Sequence, residues 1–356
     1  MSTNTDFWGK DLYLKSPIYD WFWFILSPLW AVAIGWIMTA WLFQKTVTIF
    51  HTTETTAFFI YMSITQAHLL ITAFRTHANS ELLERYFWRF TLVPIVLFFA
   101  ALSSSWMFTA MFVVMVFWDL YHSSMQIFGF ARIYDRKAGN DPNEGRLADF
   151  LLCFMMYVGP VFAGALFLSH VAAFDSFNDV SHLDLFGILI TGEQLARVPD
   201  AARSYQSEVR WAMIAVSLAV VAYYFWTLHR LSAKGYKIPI AKVAMFLTTA
   251  VGCVTAWGFN SFAMGYLIAN LFHAVQYFAL LWVLEDKSIA RVFNFSFLPK
   301  LALYLTIPLC FGLVLVAYDS LEMKALLMVC AFMHFWWDGF IWSARTSSGY
   351  SGQASG

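Results

Sequence analysis

The chain has 356 residues, of which 60% are hydrophobic and only 12% charged, and its 22 lysines and arginines balance 22 aspartates and glutamates. Soluble domains carry about a quarter charged residues, so these figures exclude an ordinary soluble protein and point to a polytopic membrane protein. A formal charge of zero with no basic patch gives no footing for nucleic acid as a partner.

At about 20 apolar residues per span, the sequence predicts an all-α transmembrane bundle of ten helices. They fall near 22–43, 57–74, 88–103, 106–131, 148–169, 209–231, 239–258, 262–284, 301–318 and 322–343. No cleavable leader is visible before the first, so that span is expected to stay in the mature protein. The links "LSSSW" and "FNS" read as tight hairpins between the third and fourth and the seventh and eighth spans. The one long connection, 170–208, is acidic. Residues 1–346 read as a single transmembrane domain, and 347–356 ("SGYSGQASG" with the preceding serine) as a disordered polar tail. The four cysteines, Cys153, Cys253, Cys310 and Cys330, lie inside apolar runs without metal-ligand spacing and read as packing.

Orientation follows from lysine and arginine. With the N-terminus inside, seventeen of the 22 fall in inner segments. Only Lys45, Arg197, Arg203, Arg210 and Lys324 remain outside. That bias predicts both termini in the cytoplasm and loop 170–208 on the outer side, in an integral membrane protein of the bacterial inner (cytoplasmic) membrane.

Nine histidines are present. His51, His77, His170, His182 and His229 fall in loops or at span ends and read as solvated or interfacial. The other four lie within even-numbered spans: His68 in "SITQAHLLITAF", His122 in "WDLYHSSMQIFGF", His273 in "NLFHAVQYFALLWVLE" and His334 in "FMHFWWDGFIW". Each is followed by its first inner charge 7 to 12 residues later (Arg75, Arg132, Glu285, Arg345). At 1.5 Å per residue the four rings share a depth of roughly 10–18 Å below the inner surface.

Each of these histidines has polar company on its own helix face. Asp119 and Gln126 flank His122, Asp338 follows His334 by four, Gln66 precedes His68 by two, and Asn270, Gln276 and Tyr277 accompany His273. Unsatisfied polar groups cost several kcal/mol in hydrocarbon, and ionisable residues inside a bilayer default to functional sites. Interhelical hydrogen bonding, worth about 1 kcal/mol, explains one such histidine as well as a metal does. Four at matched depth favour a metal centre. Imidazole ligands in an apolar cavity suit iron, copper or zinc, with Asp119 and Asp338 placed to take the outward N–H of a ligating ring.

The four motifs resemble, in order and context, the Brp/Blh family of membrane β-carotene dioxygenases. Short histidine motifs on separate helices hold a non-haem iron in that family. "TQAHLLITAF" stands where the family has proline-histidine-glycine, and "YHSSMQIFGF" where it has histidine-phenylalanine before an aspartate. "ANLFHAVQYFALLW" stands at its paired-histidine motif, with Tyr277 in place of the second histidine, and "MHFWWDGFIW" resembles its last histidine-to-aspartate motif. The resemblance implies His68, His122 and His273 as ligands, with His334 a further one.

The reading that follows is a membrane-embedded non-haem iron oxygenase acting with O2 on a lipophilic substrate such as a carotenoid, isoprenoid or lipid. Copper and zinc are the lesser alternatives to Fe2+. Tyr277 and Gln276 are expected to line the open coordination side. Two other classes use the same residues differently: a haem b electron-transfer protein with axial histidines, and a proton-coupled transporter with an Asp/His relay, although no inverted repeat is visible. No span interior offers a lysine for a retinal Schiff base, and clustered histidine boxes of the membrane desaturase kind are absent.

Overall fold

The computed structural model describes residues 10–41, 45–141, 143–180, 182–185 and 188–342; the polar tail expected at 347–356 lies outside them. Among the described residues the chain is almost entirely helical, and ten α-helices have 14 residues or more. In chain order they are α1 (Ser27–Trp41), α2 (Thr56–Ile71), α3 (Phe87–Ser103), α4 (Ser105–Lys137) and α5 (Arg146–Ala163). They continue with α6 (Gln206–Ser232), α7 (Ile240–Cys253), α8 (Phe262–Leu284), α9 (Phe297–Ala317) and α10 (Leu321–Ile341).

Seven helical segments among the described residues are long and apolar enough to cross a membrane, or nine if each of two bent pairs is one span. Such helices mark an integral membrane protein. Pro17–Ile25 joins Ser27–Met38 across a 50° bend, where a π-helical turn (Trp21–Ile25) meets Pro28; both features are recognised causes of kinks. α3 and α4 are together long and apolar enough to form one bent span, turning by 119° at Ser104. The sequence expectation of ten spans counts that pair as two.

Two short hairpins are the sheet among the described residues: β1 (Thr46–Ile49) with β2 (Thr52–Thr55), and β3 (His182–Leu185) with β4 (Ile188–Thr191). Alternating β-branched residues in "TVTIFHTTET" favour the first. The acidic connection expected as a loop at 170–208 is therefore structured. It holds β3 and β4 and several short helices, one begun by a capping box in which Thr191 and Gln194 bond each other's backbone N–H.

The chain packs as two compact units, and the boundaries fall inside α4 and α8. The first unit contains residues to Trp41 and Asp119–Ala279. Buried charges pin its helices together. Lys242 on α7, 1% exposed, reaches Asp149 of α5 at 2.8 Å and Asp135 of α4 at 3.0 Å. Arg132 pairs with both aspartates, and the Tyr236 hydroxyl donates to Asp135. Two acids and two bases close a neutral cluster, the condition under which buried ions are tolerated.

The second unit contains Leu42–Trp118 and residues from Leu280. Here α9 lies against α2 because Gly312 has no side chain: a Cβ at that position would stand 2.3 Å from the Ser63 carbonyl oxygen. Small residues of this kind let membrane helices approach closely. Phe90 of α3 and Met328, Met333 and Trp337 of α10 lie in one apolar cluster, which fixes α10 against α3.

Candidate metal centre

In the first unit, α4 carries His122 and α8 carries His273, respectively 5% and 1% exposed. Their ring centroids lie 5.0 Å apart, edge to face at 78°. A chain of amides fixes the two helices in register. Gln126 Nε2 donates to the His273 carbonyl at 3.1 Å and to Gln276 Oε1 at 2.9 Å, and Gln276 Nε2 donates to the Phe24 carbonyl at 2.8 Å. Gln276 is thus committed to holding α4, α8 and the π-helical turn together.

The polar stripe of α8 faces inward. Asn270, His273, Gln276 and Tyr277 are all buried; of the flanking residues Leu271 is buried too, and Val275, Phe278 and Trp282 are only partly so. Asn270 bonds back to the Tyr266 carbonyl of its own helix at 3.1 Å. Asp119, one turn before His122 on α4, is half-buried and makes no hydrogen bond or ion pair among the described residues.

In the second unit, α2 carries His68 and α10 carries His334, at 2% and 1% exposure. These rings are 4.8 Å apart, again nearly perpendicular at 88°. His68 Nδ1 donates to the Thr65 carbonyl of its own helix. His334 Nδ1 meets the Thr72 hydroxyl at 2.5 Å, and its Nε2 lies 3.8 Å from Asp338 Oδ2. Asp338 also accepts a hydrogen bond from Trp342 Nε1 at 3.0 Å.

Among the described residues, one group of histidine, cysteine and acidic side chains is able to hold a metal ion. It is His68, His122, His273 and His334, each offering a ring nitrogen within 4.8 Å of the other three. The donor set fits a metal chemically. Four buried imidazoles form a neutral, borderline-soft ligand field suited to iron, copper or zinc and poorly suited to magnesium or calcium.

His170 departs from the solvated or interfacial role expected of it: it is 3% exposed, packed between Trp257 and Phe262, with Nδ1 on the Leu166 carbonyl at 2.9 Å. Burial lowers its pKa below the usual imidazole value. Sequence reasoning missed Thr72, Thr65 and the joint role of Gln126 and Gln276. Thr72 carried a signal, lying four residues after His68 on the same helical face.

No family model matches the sequence, no curated protein matches it, and no solved structure matches the fold.

Proposed function

We propose that the chain is a membrane-embedded metalloenzyme, a non-haem iron oxygenase acting on a lipophilic substrate of carotenoid, isoprenoid or lipid type. The observation that carries this reading is the group of four buried histidines with ring nitrogens within 4.8 Å of one another, on helices long enough to cross a membrane. The likeness of the four motifs to the Brp/Blh dioxygenases favours iron over copper or zinc.

His68, His122, His273 and His334 would hold the ion, and ferrous iron bound there would supply the redox chemistry toward O2. The protein's part is to position and to exclude water. The glutamine chain from Gln126 through Gln276 to Phe24 holds the His122 and His273 helices in register. Tyr277, buried four residues beyond His273, lines the same face. Asp119 lies one turn before His122 on α4 and would orient its imidazole. O2 and an apolar substrate both partition into the bilayer, so a dry site within it is reached without crossing water.

The haem alternative is less well supported. It would use two of the same histidines as axial ligands, and its reduced form would show sharp visible bands that non-haem iron lacks.

The test is oxygen uptake by detergent-purified, ferrous-loaded protein presented with polyene, isoprenoid and unsaturated-lipid substrates in mixed micelles. The reading expects uptake and product formation with at least one class, abolished in H273A. Stoichiometric iron with no uptake on any class would remove the oxygenase and leave a metal-binding protein.

A further inference from the structure

Each imidazole has two nitrogens, and a ligating histidine usually donates the N–H it does not use to an acceptor of the protein. Which nitrogen faces the ion is therefore set by what holds the other. For His68 the answer is direct: a carbonyl oxygen only accepts, so the Thr65 carbonyl requires Nδ1–H and leaves the Nε2 lone pair for a ligand.

The same logic applies to His334, with a different partner from the one its sequence suggests. Asp338 is its i+4 neighbour, but Asp338 Oδ2 stands 3.8 Å from Nε2, beyond hydrogen-bonding distance. The Thr72 hydroxyl stands 2.5 Å from Nδ1. Helical threonines commonly donate to the carbonyl a turn back, as neighbouring Thr65 does to Tyr61 at 2.9 Å and Thr76 to Thr72 at 3.1 Å. A hydroxyl used in that way accepts from the imidazole.

Thr72 is also held firmly. It is 0% exposed, and three residues later Arg75 Nη2 donates to the Ile341 carbonyl at the end of α10 at 3.0 Å. The Arg75 guanidinium pairs with Glu285 and lies 4.0 Å over the Trp342 ring. These contacts fix the end of α10 against the segment that bears Thr72.

We propose that Thr72 is the positioning residue of His334: its hydroxyl accepts the Nδ1–H, so that Nε2 carries the lone pair that a metal ion would take. This rests on the metal-centre reading above. It gives both histidines of the second unit one arrangement, with Nδ1 on a threonine oxygen and the Nε2 lone pair as the one that would bind.

The experiment uses full-length, metal-free protein labelled with 15N-histidine, whose ring shifts report the tautomer of His334, followed by zinc titration against a competing chelator. The wild type should carry Nδ1–H. T72S should keep that tautomer and near wild-type zinc affinity, whereas T72V should lose the tautomer preference and bind zinc about 10–100-fold more weakly. Helical content and melting temperature identify any variant that fails to fold, and T72S then serves as the folded comparison with wild type. An Nε2–H tautomer in the wild type, or T72V matching wild type in tautomer and affinity, overturns the assignment. If wild type takes up no zinc, the metal-centre reading falls, and the tautomer measurement still decides the role of Thr72.

Discussion

Thr72 and His334 are 262 residues apart in sequence, and the hydroxyl of one lies 2.5 Å from Nδ1 of the other, fully buried. That contact joins α10 to the end of α2 beside the edge-to-face pair of His68 and His334. The first unit repeats the theme with different chemistry: Gln126 and Gln276 join α4 to α8 beside His122 and His273. In each unit a histidine pair is fixed by a polar contact between the two helices that carry it.

Ligands and supporting residues should separate in metal content. H122A and H273A are each expected to abolish stoichiometric metal, whereas T72V, which removes only the partner of His334 Nδ1, should lower affinity by about 10–100-fold without eliminating binding. Elemental analysis after gel filtration reads the first, and chelator competition the second. Full occupancy in both alanine variants would remove His122 and His273 from the ligand set.

The buried charge cluster should behave as a unit. K242A leaves Asp135 and Asp149 sharing Arg132 alone, and breaking a buried ion pair from one side costs about 3–5 kcal/mol. A marked fall in detergent melting temperature is expected, with less loss in the Lys242→Ala, Asp149→Ala double variant. Equal melting of K242A and wild type would show that the cluster contributes nothing net.

How much of this was legible in sequence differs by level. The helices were, because each needs a long apolar run; each expected segment overlaps a helix among the described residues, of which seven, or nine with two bent pairs, are long and apolar enough to cross a membrane. The inward face of α8 was also legible, since Asn270, His273 and Gln276 recur at three-residue spacing. The bend at Ser104 was not, because "LSSSW" announces a break without its angle. Partner choice was less visible still. Asp338 is the obvious mate for His334 on its own helix, and only the packing of α10 against α2 puts Thr72 closer. Lys242 reads as one more inner-side cation; nothing in its neighbourhood says that two aspartates from other helices close over it.

His170 gives a pH dependence with a definite sign. Burial lowers its folded-state pKa from 6.5, so as pH falls through about 6.5 the unfolded chain takes up a proton that the folded protein does not. Its contribution to stability is therefore present above that pH and lost below it. H170Q should flatten the fall in melting temperature between about pH 6.5 and 5. An unchanged slope would mean that His170 titrates alike in both states.

Topology is testable independently of the metal. Reporter fusions after Lys137 and Lys237 should report cytoplasm and a fusion within 180–200 the opposite side, following the lysine and arginine bias. Reversed signals at two of the three sites would overturn the orientation and the shared depth of the four histidines.

The most direct test of the central claim is the metal itself. Protein purified without added chelator, then analysed for metals and by optical and X-ray absorption spectroscopy, should contain about one iron per chain. Its nearest shell should be nitrogen at about 2.0–2.2 Å with the outer scattering of imidazole, and the sharp visible bands of haem should be absent. Protein that holds no transition metal, and takes up none from ferrous, cuprous or zinc solutions, would contradict the account and leave the four histidines as interhelical hydrogen-bonding groups.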